Sequence, residues 1–171
     1  VGVDLSSTHL SVLEGRSNSN VSVALASKPS AAVTIAFATT AAFLSLAPSS
    51  VVFSATNWQT PQWVQVLAAN DLVAAGNRDG TLTLALTSSD AGYSALALPD
   101  ITVFYADNDG AGVSVALGKG GLSVLEGAAA EMTVSLASVP TADVVVTAAV
   151  VGAGMTVSPL AVRFNALTWA E

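Results

Sequence analysis

The chain has 171 residues, of which 52% are hydrophobic and 10% charged, enough apolar material for one or two packed domains. Five basic against twelve acidic residues give a formal charge of −7. That balance excludes the clustered Lys/Arg surface that nucleic acid or an anionic membrane requires, and leaves a cation as the natural electrostatic partner. There is no cysteine, hence no disulfide framework and no thiolate metal site.

Taken in chain order, period-two alternation predicts strands at 2–13 (broken near Ser6-Ser7), 20–26, 32–39, 50–55, 62–69, 80–88 and 99–106. Val21, Val23 and Leu25 share one face, as do Val33, Ile35 and Phe37, and Leu82, Leu84 and Leu86. Turn residues separate the strands at Lys28-Pro29, Pro48-Ser-Ser, Asn77-Arg-Asp-Gly80, Asp90-Ala-Gly92 and Asp107-Asn-Asp-Gly110. Seven short strands so spaced predict an all-β, immunoglobulin-like Greek-key β-sandwich, and no stretch reads as an amphipathic helix. No charge occurs between Lys28 and Asp71, and 144–162 is almost wholly apolar or small. Pro48, Pro159 and the alternation assign both stretches to strands, so no membrane insertion is expected. Val1 begins inside a strand with no secretory leader visible, which points to an excerpt of something longer.

Beyond residue 109 the pattern starts again. Leu10-Ser-Val-Leu-Glu-Gly15 recurs as Leu122-Ser-Val-Leu-Glu-Gly127, and Val21-Ser-Val-Ala-Leu-Ala-Ser-Lys-Pro29 as Met132-Thr-Val-Ser-Leu-Ala-Ser-Val-Pro140. Pro48, Phe53 and Trp58 match Pro159, Phe164 and Trp169. The expected organisation is a complete repeat at 1–109 and the first half of a second at 110–171. The half copy would expose an apolar inner face and unpaired edges unless another chain or segment completes it.

Strand parity locates the acidic residues. If successive strands alternate in direction, Glu14, Asp71, Asp79, Asp107 and Asp109 converge on the pole where the second copy is attached, with Asp90 and Asp100 at the other.

Val-Leu-Glu-Gly, Pro-Ser-Ser-Val-Val-Phe, Asn57-Trp58-Gln-Thr-Pro61-Gln62, Thr87-Ser-Ser-Asp90-Ala-Gly-Tyr93 and the closing Asp107-Asn-Asp109 together resemble the Calx-β family, in the form of tandem repeats in large surface and adhesion proteins. The resemblance covers the first copy and the first half of the second. It implies a seven-stranded sandwich with calcium sites at the pole near the next domain. Glu14 matches a ligand after the first strand, Asn70-Asp71 stands at the usual Asp-Asp pair, and Asp107 and Asp109 match the terminal acidic cluster. Two departures weaken the set: Asn70 replaces an Asp, and Ala75 stands where a Glu usually precedes Gly76. Calcium takes six to eight oxygens, so the expected site is a weak one. The alternative is that these are solvated turn residues, common in such loops. In the second copy only Glu126 of the set is present, and no complete site is expected there.

The remaining polar and aromatic residues point mostly to structure. Trp58 and Trp169 recur at equivalent places beside a Pro turn and read as packing, whereas Trp63 has no counterpart and is the best single contact residue. Tyr93 suits a corner tyrosine bonding back to the backbone. His9, the one histidine, cannot build a zinc site or a nucleophilic triad without partners. Gly118-Lys-Gly-Gly121 lacks the phosphate-loop spacing and reads as a linker or turn, and Arg78-Asp-Gly80 reads as a tight turn. Asn20-Val-Ser22 is a glycosylation sequon.

These features suggest a non-enzymatic structural or adhesive repeat of a large extracellular or cell-surface protein. The resemblance to tandem surface repeats implies elongated filaments, such as mastigoneme-like structures or fibrillar adhesins, as fitting settings. Calcium would stiffen the junction between repeats. Its partners would be neighbouring repeats of the same or another chain, glycans or other surface proteins. The alternatives are a calcium-sensing regulatory domain and a carbohydrate-binding accessory module of a secreted enzyme.

Overall fold

The computed structural model describes residues 1–16, 19–118, 121 and 123–170. Lys119 and Gly120 of the Gly118–Gly121 turn, and Leu122 of the repeated motif, lie outside the described residues. Packing divides the chain into two units, Val1–Asp71 with Gly76–Asn108, and Leu72–Ala75 with Asp109–Glu171.

In the first unit the strands are β1 (Val3–Leu5), β2 (His9–Leu13), β3 (Ser19–Leu25), β4 (Val33–Thr39), β5 (Leu44–Ala47), β6 (Ser50–Phe53), β7 (Gln62–Ala68), β8 (Arg78–Ser88) and β9 (Ile101–Ala106). One sheet has the order β1-β3-β7-β5 and the other β2-β9-β8-β4-β6. Their inner faces carry the alternating residues the sequence marks out. Val21, Val23, Val33, Ile35, Phe53, Val64, Val66, Leu82, Ile101 and Val103 are fully buried between them. This is the immunoglobulin-like β-sandwich the alternation predicts.

The break near Ser6-Ser7 has a physical role. β1 pairs antiparallel with β3 in one sheet, while β2 pairs parallel with β9 in the other. The chain therefore changes sheets at Ser6–Thr8, and hydroxyls satisfy the backbone as it crosses. Ser22 N–H donates to Ser6 Oγ (3.0 Å), Ser6 N–H to Ser22 O (3.0 Å), and Ser7 Oγ to His9 O (2.6 Å). His9 itself is exposed at the start of β2.

Three local features differ from expectation. β5 is an extra short strand, its Leu44–Ala47 paired with Gln65–Ala68 of β7; four residues give too little alternation to read. Ala91–Ser94 forms one helical turn, α1, capped by Asp90, whose carboxylate accepts from Gly92 N–H (2.9 Å) and Ser30 N–H (2.7 Å). Hydrogen bonds from the Ser30 backbone and hydroxyl hold this carboxyl below the usual aspartate value. Arg78-Asp79-Gly80 is not a turn but the start of β8, opposite Tyr105, Phe104 and Val103 of β9 respectively. Asp79 is thus an exposed strand residue. Gly80 is needed for close approach: a Cβ there would lie 2.8 Å from Leu44 Cδ1.

Tyr93 in α1 is 1% exposed, and its hydroxyl donates to Ser27 O, as a corner tyrosine should. The uncharged stretch from Lys28 to Asp71 becomes β4–β7, and no helix among the described residues is long and apolar enough to cross a membrane.

The second unit contains β10 (Val113–Leu117), β11 (Met132–Leu136), β12 (Val144–Thr147) and β13 (Ala161–Phe164), as the pairs β10-β11 and β12-β13. Their registers reproduce those of the first unit. Val113↔Leu136 and Val115↔Val134 correspond to Val3↔Leu25 and Leu5↔Val23; Val144↔Phe164 and Val146↔Val162 correspond to Val33↔Phe53 and Ile35↔Val51. The repeated tryptophans serve one backbone function. Leu25 N–H donates to Trp58 O and Leu136 N–H to Trp169 O, both at 2.9 Å.

Phe53→Ala should lower the stability of the first unit by about 3–5 kcal/mol in denaturant melts followed by tryptophan fluorescence. Val52→Ala, at a half-exposed neighbour on the same strand, should change it by less than ~0.5 kcal/mol.

Candidate metal centre

The pole at the ends of β2 and β9 is organised by a reverse turn. Arg16 N–H donates to Leu13 O (3.1 Å), which leaves Glu14 and Gly15 as the central pair. Gly15 has φ +61°, a conformation that favours glycine. The same turn closes at Leu125–Ala128, where Gly127 has φ +77°, but there Glu126 is exposed. In the first unit Glu14 is 0% exposed, the one fully buried carboxylate among the described residues.

A buried carboxylate must be compensated by donors or cations. Glu14 Oε1 accepts from Asp71 N–H (2.7 Å) and Oε2 from Asn108 N–H (3.3 Å). Asn108 also donates through Nδ2 to Glu14 O (2.9 Å) and to Asn70 Oδ1 (3.3 Å). One acidic side chain therefore ties three segments: the turn after β2, the loop after β7 and the end of β9.

Below it lies a second layer. Tyr105, 1% exposed, hydrogen-bonds the Glu14 carboxylate through its phenol. The guanidinium carbon of Arg78 stands 4.6 Å from the Phe43 ring centre and 4.9 Å from that of Tyr105. Burial, and then the hydrogen bond and charge of Glu14, push the Tyr105 phenol up to about 12, against the opposing effect of Arg78.

The anticipated ligand residues divide in use. Glu14 and Asp71 present carboxylate oxygens within 4.8 Å of each other. Asn70 turns Oδ1 toward Asn108 and donates through Nδ2 to Asp71 O (2.9 Å). Asp107 points elsewhere: its Oδ2 accepts from Gly76 N–H, and its own N–H donates to Asn77 Oδ1 (3.0 Å), closing the loop before β8. Asp109 follows Asn108 in the chain and is the first residue of its stretch in the second unit. Tyr105 and Asn108 were not among the expected site residues. The Ile101-Val103-Tyr105 alternation signals an inward Tyr, but the parallel pairing Val12↔Tyr105 that brings it to Glu14 has no local signal.

Two other singled-out residues lie on β7 and β3. Trp63 is 59% exposed on β7, opposite Ser22 of β3. Asn20 is exposed as the second residue of β3, opposite Gln65.

No protein-family model matches the chain, and no curated protein does. Solved structures do. CBD12 from CALX1.2 aligns at 19% identity with TM-score 0.51, over 68% of this chain and 48% of that one. The calcium binding domain CBD12 of CALX1.1 aligns at 20% identity and 0.48, over 74% and 53%, and the periplasmic chaperone SfaE at 13% and 0.49, over 63% and 58%. The chain thus spans about half the length of these structures. At such identities the likeness defines a class by fold, the immunoglobulin-like β-sandwich.

Two outcomes follow from the pole. Gly15→Ala should cost about 1–3 kcal/mol in denaturant melts, since it strains the backbone and brings a Cβ to 1.9 Å from Asn70 Oδ1. In an alkaline absorbance titration, the Tyr105 phenolate should appear only near pH 12. Because the folded state raises this pKa above the unfolded value near 10, its stabilising contribution is complete below pH ~10 and is lost as the pH rises through the folded value. Tyr105→Phe should remove that late step.

Proposed function

We propose that this chain is a non-enzymatic structural and adhesive module of a large extracellular or cell-surface protein, with a weak calcium site at the Glu14–Asp71 pole. The observation that carries the reading is the buried Glu14 carboxylate, fixed by two backbone N–H groups beside the Asp71 carboxylate. Carboxylate and amide oxygens make a hard donor set, which suits calcium. A cation would relieve the repulsion between the two neighbouring carboxylates. The residues therefore fit calcium, with Glu14 and Asp71 as anchors and Asn70 Oδ1 as a neutral ligand.

Few carboxylates and an exposed Asp71 place the expected affinity in the ~10⁻⁴–10⁻³ M range of extracellular modules rather than the micromolar range of sensors. A cation there would pin the turn after β2 to the chain leaving β9 at Asn108, and so stiffen the sandwich where the polypeptide continues. Glycans, other surface proteins and neighbouring repeats are the fitting partners. The exposed Trp63 favours the second reading, a carbohydrate-binding module, because an aromatic face stacks on sugar; binding on a glycan array that Trp63→Ala abolishes would establish it.

Calcium titration by calorimetry, together with thermal melts, tests the primary reading. Millimolar calcium should give measurable heat and raise the melting temperature, and Asp71→Asn should reduce both without altering the melt in chelator. Absence of heat and of any melting shift at ~10 mM would refute the calcium site. Micromolar binding with a change of shape would instead favour the sensing domain.

A further inference from the structure

The chain carries a single Asn-x-Ser/Thr sequon, Asn20-Val21-Ser22, and it lies inside β3 rather than in a loop. Extended backbone sends residues two apart to the same side, so the Asn20 amide and the Ser22 hydroxyl share one face. It is the outer face of the β1-β3-β7-β5 sheet, because Val21 between them is fully buried in the core. Asn20 is exposed there and Ser22 half-buried.

The register with β7 decides what lies beside them. Asn20 stands opposite Gln65, Val21 opposite Val64 and Ser22 opposite Trp63. Val64 is fully buried, so Gln65 and Trp63 also face outward, and Trp63 is 59% exposed. Asn20 and Trp63 are thus diagonal neighbours on one sheet surface, a relation that sets side chains about 7–8 Å apart and within reach of an aromatic ring. Directly across from the indole is only the small hydroxyl of Ser22, which leaves most of the ring in water. On the other side of β3, the pairing with β1 ends at Leu5↔Val23, short of Asn20.

We propose that Asn20 is the acceptor of an N-linked glycan, and that the first sugar of this glycan stacks on Trp63. The donor is an oligosaccharide carried on a polyprenyl diphosphate. Asn20 Nδ2 bonds to the anomeric carbon as the bond from that carbon to the diphosphate oxygen breaks; Nδ2 loses a proton and the lipid diphosphate leaves. The C–H face of the pyranose then covers the indole, and Gln65, opposite Asn20, offers an amide to the polar substituents of the sugar. The matching position in the second unit is Glu131, two residues before Thr133, so that unit has the hydroxyl without the acceptor. The inference rests on the extracellular reading above, because such donors act on chains that enter a secretory route.

The test secretes the intact chain from eukaryotic cells behind a cleavable leader, so that the donor is met whatever the native location. Peptide mass spectrometry should place a glycan on Asn20 alone. Ser22→Ala should abolish it and Ser22→Thr should keep it. Both variants retain the bonds to Ser6, which use only the Ser22 backbone. The glycosylated chain should melt about 2–5 °C above Asn20→Gln, and the difference should vanish when both carry Trp63→Ala. A secreted, folded chain bearing no glycan would overturn the proposal and leave the extracellular reading standing. A glycan with no effect on melting, or with an effect that survives Trp63→Ala, would overturn the stacking.

Discussion

Glu14 is the constraint around which one end of the sandwich is built. A carboxylate removed from water costs several kcal/mol unless its charge is met, and here two backbone N–H groups and a phenol meet it. Those donors belong to segments far apart in sequence, so satisfying one side chain fixes the loop after β7 and the exit of β9 at once. The Asn70–Asn108 contact follows from that requirement. The exposed Glu126 in the matching turn of the second unit shows that the turn itself does not bury the acid. The surrounding loops do.

Much of the fold was legible because burial writes itself as alternation. Val21-Val23-Leu25 and Val33-Ile35-Phe37 need no tertiary information to be read as inner faces, and each is buried. β5 escaped because four residues carry too little pattern, and α1 because a single capped turn has no helical period. Arg78-Asp79-Gly80 misled for a physical reason. Its turn-forming residues are held extended by the ladder to β9 and by the two aromatic rings under Arg78, and Gly80 answers to the crowding of Leu44. Propensity yielded to packing.

The pole was legible in part. Strand parity alone brings Glu14 and Asp71 to one end, and the parallel β2–β9 pairing does the same for Asp107. Which oxygens face one another depends on side-chain choices that spacing does not encode. Asp107 spends a carboxylate oxygen on Gly76, while Asn108, a neutral residue between two acids, holds Glu14 from two sides. The pole is therefore a hydrogen-bonded scaffold first, and the proposed ion would stiffen it rather than signal.

An amide NMR titration of the intact chain with calcium chloride addresses this most directly. Shifts should concentrate on Glu14–Arg16, Asn70, Asp71 and Asn108, saturate in the millimolar range and coincide with slower hydrogen exchange of the Asp71 and Asn108 amides. Shifts scattered over the surface, or none at these residues, would contradict the view that buried Glu14 organises a calcium-binding pole.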